Sequence, residues 1–218
     1  MTDVSKFNNQ SLGEEIGNAV THGVVALLAV AGTVVLIINA CLYGDIWAIV
    51  SSSIYGGSLI ILYSMSTLYH SFTKTSVKKV FQVFDHSSIF LLIIGTYTPI
   101  CLISLRDTVG WPFLGFNTAL SLVGIVFTSI SVKKSHKAAL VCYILMGWSM
   151  VFVAKPLLAV IPLQGMLLFL IGGIFYTAGV CFYLATKRRY MHMVWHFFVF
   201  GGSIFHYLAI LLYIIPKY

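Results

Sequence analysis

The stretch Ile16–Gly44, IGNAVTHGVVALLAVAGTVVLIINACLYG, holds no charged side chain and exceeds the roughly 17–25 residues that a helix needs to cross the hydrocarbon of a bilayer. Within lipid, the backbone N–H and C=O groups of such a stretch must bond one another, so an α-helix is the conformation expected. Working outward, six more uncharged stretches follow: Ile46–Thr73, His86–Leu105, Thr108–Val132, Ala138–Ala154, Pro156–Thr186 and Tyr190–Pro216. Each is near or above the length of one crossing, and the shortest, Ala138–Ala154, is interrupted by Lys155 and Pro156. Of the 218 residues 59% are hydrophobic and 9% charged, where a soluble domain carries about a quarter charged. These features predict an all-α, polytopic membrane protein of the cell membrane. One seven-transmembrane-helix bundle is expected over residues 1–218, with spans about 19–43, 46–71, 84–104, 110–131, 137–154, 162–185 and 191–214.

The net charge of +7 follows topology. Lys6, then Lys74, Lys78 and Lys79, then Lys133, Lys134 and Lys137, then Lys187, Arg188 and Arg189 fall in alternate connections, leaving Arg106, Lys155 and Lys217 to the other side. Lys and Arg mark cytoplasmic loops, so the N-terminus is expected in the cytoplasm and the C-terminus outside. Basic residues divided among short loops make no face for nucleic acid, and membrane lipids are the expected partners. The opening residues MTDVSKFNNQSLGEEIGNAVTHG are polar and partly acidic, without the basic region and cleavage site of a signal peptide, so the first apolar segment is expected to remain as a helix. Cys41, Cys101, Cys142 and Cys181 sit singly within spans, without C-x-x-C spacing, and read as buried small apolar residues.

Ionisable groups in a membrane are costly and point to function. His70 ends the second span, Asp85 begins the third, and His192 and His196 begin the seventh, all on the cytoplasmic side of this topology. His192 and His196 are four apart, hence on one helical face about a turn apart, a spacing that suits two imidazoles on one metal ion. His206, fourteen residues beyond His192, lies about 21 Å further along the axis and cannot share it, so a hydrogen bond to a neighbouring helix is expected there. Ser66 lies four residues before His70, on the same face. Glu15, Asn18 and His22 form a polar stripe on the first span, either an N-terminal cap or a shell around the site. His86 points about 100° away from Asp85 and reads as a shell or interhelical contact. Spacing alone leaves two readings: a metal site on His70, His192 and His196, or His70 and His192 as interfacial residues satisfied by water.

The motifs EEIGNAVTHG, STLYHSF, VFDHSSIFLLIIGTYTP and HMVWHFFVFGGSIFHY, in this order on seven spans, resemble the hemolysin III family of bacteria. That family is grouped with the progestin and adipoQ receptors, which include the adiponectin receptors, and more remotely with alkaline ceramidases. The resemblance runs from Glu15 to about Tyr207 and places the chain in a bacterial plasma membrane. It implies zinc as cofactor, with His70, His192 and His196 as its ligands. It further implies Asp85 as a residue that holds a zinc-bound water, and Ser66 as a site serine. Short extracellular loops speak against a protein hormone as ligand.

Three neutral imidazoles leave a zinc ion its full charge and an open position, the arrangement of catalytic rather than structural sites. The expected chemistry is hydrolysis of a lipid amide or ester, ceramidase-like, with Asp85 as general base and Ser66 holding the oxyanion. A second reading is a non-enzymatic sensor or regulator of membrane state, with zinc pinning spans two, three and seven. A third is a membrane-lytic pore-former, which calls for a secretion signal or a soluble state that the sequence does not display.

Overall fold

The computed structural model describes residues 10–185 and 188–215; Lys6, Lys187 and Lys217 of the charge pattern lie outside them, as do Thr186 and Pro216. The helices are α1 (Leu12–Tyr43), α2 (Ile46–Ser71), α3 (Thr75–Pro99), α4 (Gly110–Ile130), α5 (Val132–Trp148), α6 (Leu163–Leu184) and α7 (Met191–Ala209). The described residues contain no strand. With their continuations, seven helices are long and apolar enough to cross a membrane, so the chain is an all-α, multi-pass membrane protein.

Local chemistry sets where the helices begin and change. α1 starts at Leu12 because Ser11 and Glu14 form a capping box: the Glu14 N–H donates to Ser11 Oγ (3.3 Å) and the Ser11 N–H to Glu14 Oε2 (2.9 Å). Asp45 caps α2 through Oδ1 (3.0 Å from Ala48 N), and its other oxygen accepts from Arg106 Nη1 at 3.0 Å, tying the α3–α4 connection to that cap. Pro99 brings no N–H to the helical ladder, yet α3 does not stop there. It widens into a π-helical turn, Ile100–Ser104, closed by Leu105 N–H on the Ile100 carbonyl at 3.1 Å. α7 ends in a similar turn, Ile210–Ile214, and the two turns pack together. α5 runs through a 3₁₀ turn, Ser149–Val153, into a helical turn, Ala154–Leu158, so Lys155 and Pro156 are carried within the helical path rather than ending it.

α3 is the central helix: 72% of its most apolar stretch is buried, against 17% for α4 and α6. α2 packs between α1 and α3, α4 and α5 lie against α3, and α6 pairs with α7, which closes on α1. Contact between α5 and α6 is slight. Of the four cysteines only Cys101 is buried; Cys142 is half-buried, while Cys41 and Cys181 are exposed on lipid-facing helices. Expecting all four inside overlooked that a small apolar thiol is as well satisfied by lipid as by protein.

Glycine sets the closest approach. A Cβ at Gly95 of α3 would collide with the Ser58 side chain and lie 3.5 Å from Tyr55 Cα on α2, whereas one at Gly115 of α4 would meet nothing within 4 Å. Gly95→Val is therefore expected to destabilise the bundle by about 1–3 kcal/mol or more, and Gly115→Val to leave it nearly unchanged. Melting temperatures of the two variants in one detergent compare them directly.

Candidate metal centre

The end of α2 and the start of α7 bring His70, His192 and His196 together, with one ring nitrogen from each lying within 4.8 Å of the other two. A tetrahedral zinc site with bonds near 2.05 Å has ligand separations of about 3.4 Å, so small ring rotations would close the set around an ion. Hydrogen bonding decides which nitrogens face one another. His70 Nδ1 lies 2.8 Å from Glu15 Oε2, and a carboxylate oxygen accepts, so Nδ1 carries the hydrogen and Nε2 the lone pair. Thr21 donates its hydroxyl hydrogen to the Asn18 carbonyl (2.9 Å), which leaves Oγ1 to accept from His196 Nδ1 at 3.2 Å. His196 is thereby set to the same tautomer. The Nε2 atoms of all three histidines are buried without a hydrogen-bond partner. Orphaned buried ring nitrogens are rare because each costs about 1–3 kcal/mol, and with Nε2 of His70 and His196 set as lone pairs, three converging imidazoles are a donor set that a metal ion satisfies.

The surrounding shell assigns the polar stripe of α1. Capping belongs to Ser11 and Glu14, whereas Glu15 is 4% exposed and bonds His70. Asn18 is fully buried and donates from Nδ2 to Gln10 Oε1 at 3.1 Å. His22 stacks on His196, with centroids 3.5 Å apart and planes 14° apart, and meets Tyr63 edge-on at 5.0 Å. A ligand ring holds its metal in its own plane, so two parallel, stacked imidazoles do not share one ion.

Asp85 is 8% exposed and stands outside the set of three; its Oδ2 is 3.7 Å from His86 Nδ1. The His86 ring bonds its own helix, Nδ1 to the Gln82 carbonyl at 2.9 Å, and its hydrogen bond with α5 runs through its backbone carbonyl, which accepts from Tyr143 OH at 2.7 Å. Ser66 is 1% exposed and its Oγ has no partner. His206 is bonded through Nε2 to the Phe169 carbonyl of α6 at 3.1 Å. Of the four metal-competent side chains expected at one depth, the three histidines converge, and Asp85 stands outside their set, lining with His192 the same cavity.

That cavity, about 160 Å³, lies between α3, α5, α6 and α7, where α5 and α6 fail to close. Asp85, His86, His136, Tyr183 and His192 line it at the histidine end, and an almost wholly apolar wall runs toward His206. His136 Nε2 and Tyr183 OH, 2.7 Å apart, bridge α5 and α6 at that end.

Several participants were absent from the sequence reading. Thr21 stands three residues past Asn18, so the spacing that selected His22 also offered it. Lys78 reads from its place in the chain as a loop charge, but it is fully buried: Nζ donates to Glu15 Oε2 (2.9 Å) and the Tyr69 carbonyl (2.9 Å), with the Phe72 carbonyl at 3.5 Å. Its position at the loop edge follows topology, but its ammonium finds acceptors inside and turns inward. Tyr190 adopts a left-handed backbone (φ 62°), disfavoured for a side chain of its size, and its N–H donates to Glu14 Oε1 at 2.8 Å. Glu14 thus anchors the entry to the helix that carries His192 and His196.

A family model described as "Haemolysin-III related" matches residues 10–207. The chain is 42% identical over 216 residues to the Hemolysin-3 of Bacillus cereus, covering 99% of each chain. It is 42% identical over 203 residues to the Hemolysin-3 homolog of Bacillus subtilis (strain 168), covering 93% of this chain and 95% of that one. A more distant similarity, 26% identity over 207 residues, links it to the human Monocyte to macrophage differentiation factor, covering 92% of this chain and 84% of that one. With the match extending over every helix that carries the histidine cluster and its shell, the chain belongs to the haemolysin-III-related family.

Proposed function

We propose that this protein is a zinc-dependent hydrolase of a lipid amide or ester, working at the cytoplasmic face of the membrane. The observation that carries the reading is the convergence of His70, His192 and His196, each with a buried, unpartnered Nε2, at the end of an apolar cavity that His192 and the Asp85 carboxylate line. Orientation rests on charge: Lys74, Lys79, Lys133, Lys134, Lys137, Arg188 and Arg189 all stand at the histidine end of the helices.

His70, His192 and His196 would hold the ion, with Glu15 and Thr21 fixing two of the rings. Zinc held there by neutral imidazoles would supply a Lewis acid for a carbonyl and a means of ionising water near neutral pH. Asp85, at the same end of the cavity, takes the proton from the attacking water and passes it to the leaving amine or alcohol. Ser66 Oγ, buried and free to donate, stabilises the oxyanion that develops on the carbonyl oxygen. The apolar cavity receives the acyl chain and keeps bulk water from the reacting carbonyl.

A second reading, a metal-stabilised regulator of membrane state, draws on a different feature. The three histidines come from α2 and α7, with Asp85 of α3 outside the set, so one ion would cross-link two of the three spans expected, while ring hydrogen bonds to Glu15 and Thr21 attach α1, all without turnover. Both readings share the ion and differ in the role of Asp85.

Elemental analysis of purified protein is expected to give about one zinc per chain, and almost none in His192→Ala, His196→Ala. Absence of metal from both after zinc loading would remove the basis of either reading. Asp85→Asn should keep its zinc but release fatty acid from ceramide-like or phospholipid substrates roughly 10²–10⁴-fold more slowly. A zinc-loaded wild type that releases none across a broad lipid panel would leave the regulator reading. Removing zinc by chelation should lower the melting temperature by at least about 5 °C, and an unchanged value would show that the ion does not brace the helices.

A further inference from the structure

Lys78 is fully buried in a membrane protein, yet the proposed hydrolysis gives it no part. An ammonium has three hydrogens to place, and out of water each unplaced one is costly. The structure supplies Glu15 Oε2, the Tyr69 carbonyl and the more distant Phe72 carbonyl, and sets Nζ 4.6 Å over the Tyr69 ring. The carboxylate oxygen that Lys78 bonds is the same atom that receives the Nδ1 hydrogen of His70.

We propose that Lys78 is a positioning residue of the metal centre, acting through Glu15 to aim the His70 ring so that Nε2 faces His192 and His196. The inference rests on the reading of the three histidines as a metal site, but not on any lipid turnover. A glutamate side chain bonded at one point pivots about its own torsions. A second donor on the same oxygen, itself anchored to the α2 carbonyl just before His70, gives that oxygen one place. Lys78 thereby refers both the backbone leading into His70 and the imidazole to a single nitrogen. Glu15 comes from α1, His70 from α2 and Lys78 from α3, so the ring direction depends on all three helices being seated.

A purely structural role competes with this one: by bonding the last carbonyls of α2, Lys78 would cap that helix whether or not Glu15 were present. The two roles differ in coupling. Zinc affinity of the full-length protein in detergent, measured by competition with a chromophoric chelator, is compared for wild type, Lys78→Met, Glu15→Gln and the double variant. Each single substitution is expected to weaken zinc binding about 10–100-fold, and the double to weaken it no further than the worse single. Lys78→Gln, which retains an uncharged amide with two N–H donors, should fall between wild type and Lys78→Met, and it replaces Lys78→Met in the cycle if that variant does not fold. Additive losses, or a Lys78 variant with a lowered melting temperature but wild-type zinc affinity, would overturn the proposal in favour of helix capping. A wild type that binds no zinc would overturn it together with the metal reading. A zinc-loaded wild type inert toward lipids would sink only the hydrolase.

Discussion

The hydrogen bond from His70 Nδ1 to Glu15 Oε2, 2.8 Å long and buried, is the contact on which the histidine end of the molecule depends. In water such a pair would be worth little, because solvent competes for both groups. Inside a helical bundle in lipid there is no such competitor, and each polar group must find its partner in protein. The bond brings the start of α1 against the end of α2, and Lys78 adds α3 to the same oxygen. Glu14, one residue earlier, takes the N–H of Tyr190 and so draws in the start of α7. Two adjacent glutamates therefore connect α1 to the elements that carry His70, His192 and His196.

The same economy of polar groups runs through the membrane interior. Tyr63 OH donates to Ser203 Oγ at 2.6 Å, Tyr176 OH lies 2.8 Å from that oxygen, and Tyr207 OH reaches the Gly32 carbonyl at 3.0 Å. Many hydroxyls, such as those of Thr33, Thr67 and Thr96, return their hydrogen to the carbonyl four residues back in their own helix. Other buried polar atoms bond nothing, among them both His22 nitrogens and the hydroxyls of Ser51, Ser52 and Ser66; what distinguishes the Nε2 atoms of His70, His192 and His196 is that their rings also converge. Convergence of several such atoms, rather than a lone unpartnered group, is what points to a bound ion.

The cavity has a packing origin of its own. Gly95 lets α2 and α3 approach closely, and α6 lies close on α7, where Gly172 and Gly202 leave no room for a side chain. Two tight helix groups are thus formed, and the seam between them, along α5 and α6, is left open. Its walls are apolar because the residues facing it belong to helices chosen for a lipid environment. Its one carboxylate and most of its imidazoles sit where the seam reaches the histidine end, and His206 stands at the other.

Much of this was legible in the sequence. Uncharged stretches long enough to cross a bilayer determine seven helices, since lipid allows the backbone few other solutions. The four-residue spacing of His192 and His196 put two imidazoles on one face, and the end of the second stretch put His70 at the same depth. Periodicity reaches only along one helix, however, and the remaining assignments depend on how helices are rotated against one another. Which glutamate caps and which bonds His70, which ring nitrogens are left with lone pairs, and whether His22 joins the set or stacks beside it were decided by tertiary packing. Lys78 is the clearest case. Its place in the chain reads as a solvated loop charge, and only the approach of α1 and the end of α2 provides the acceptors that make its burial tolerable.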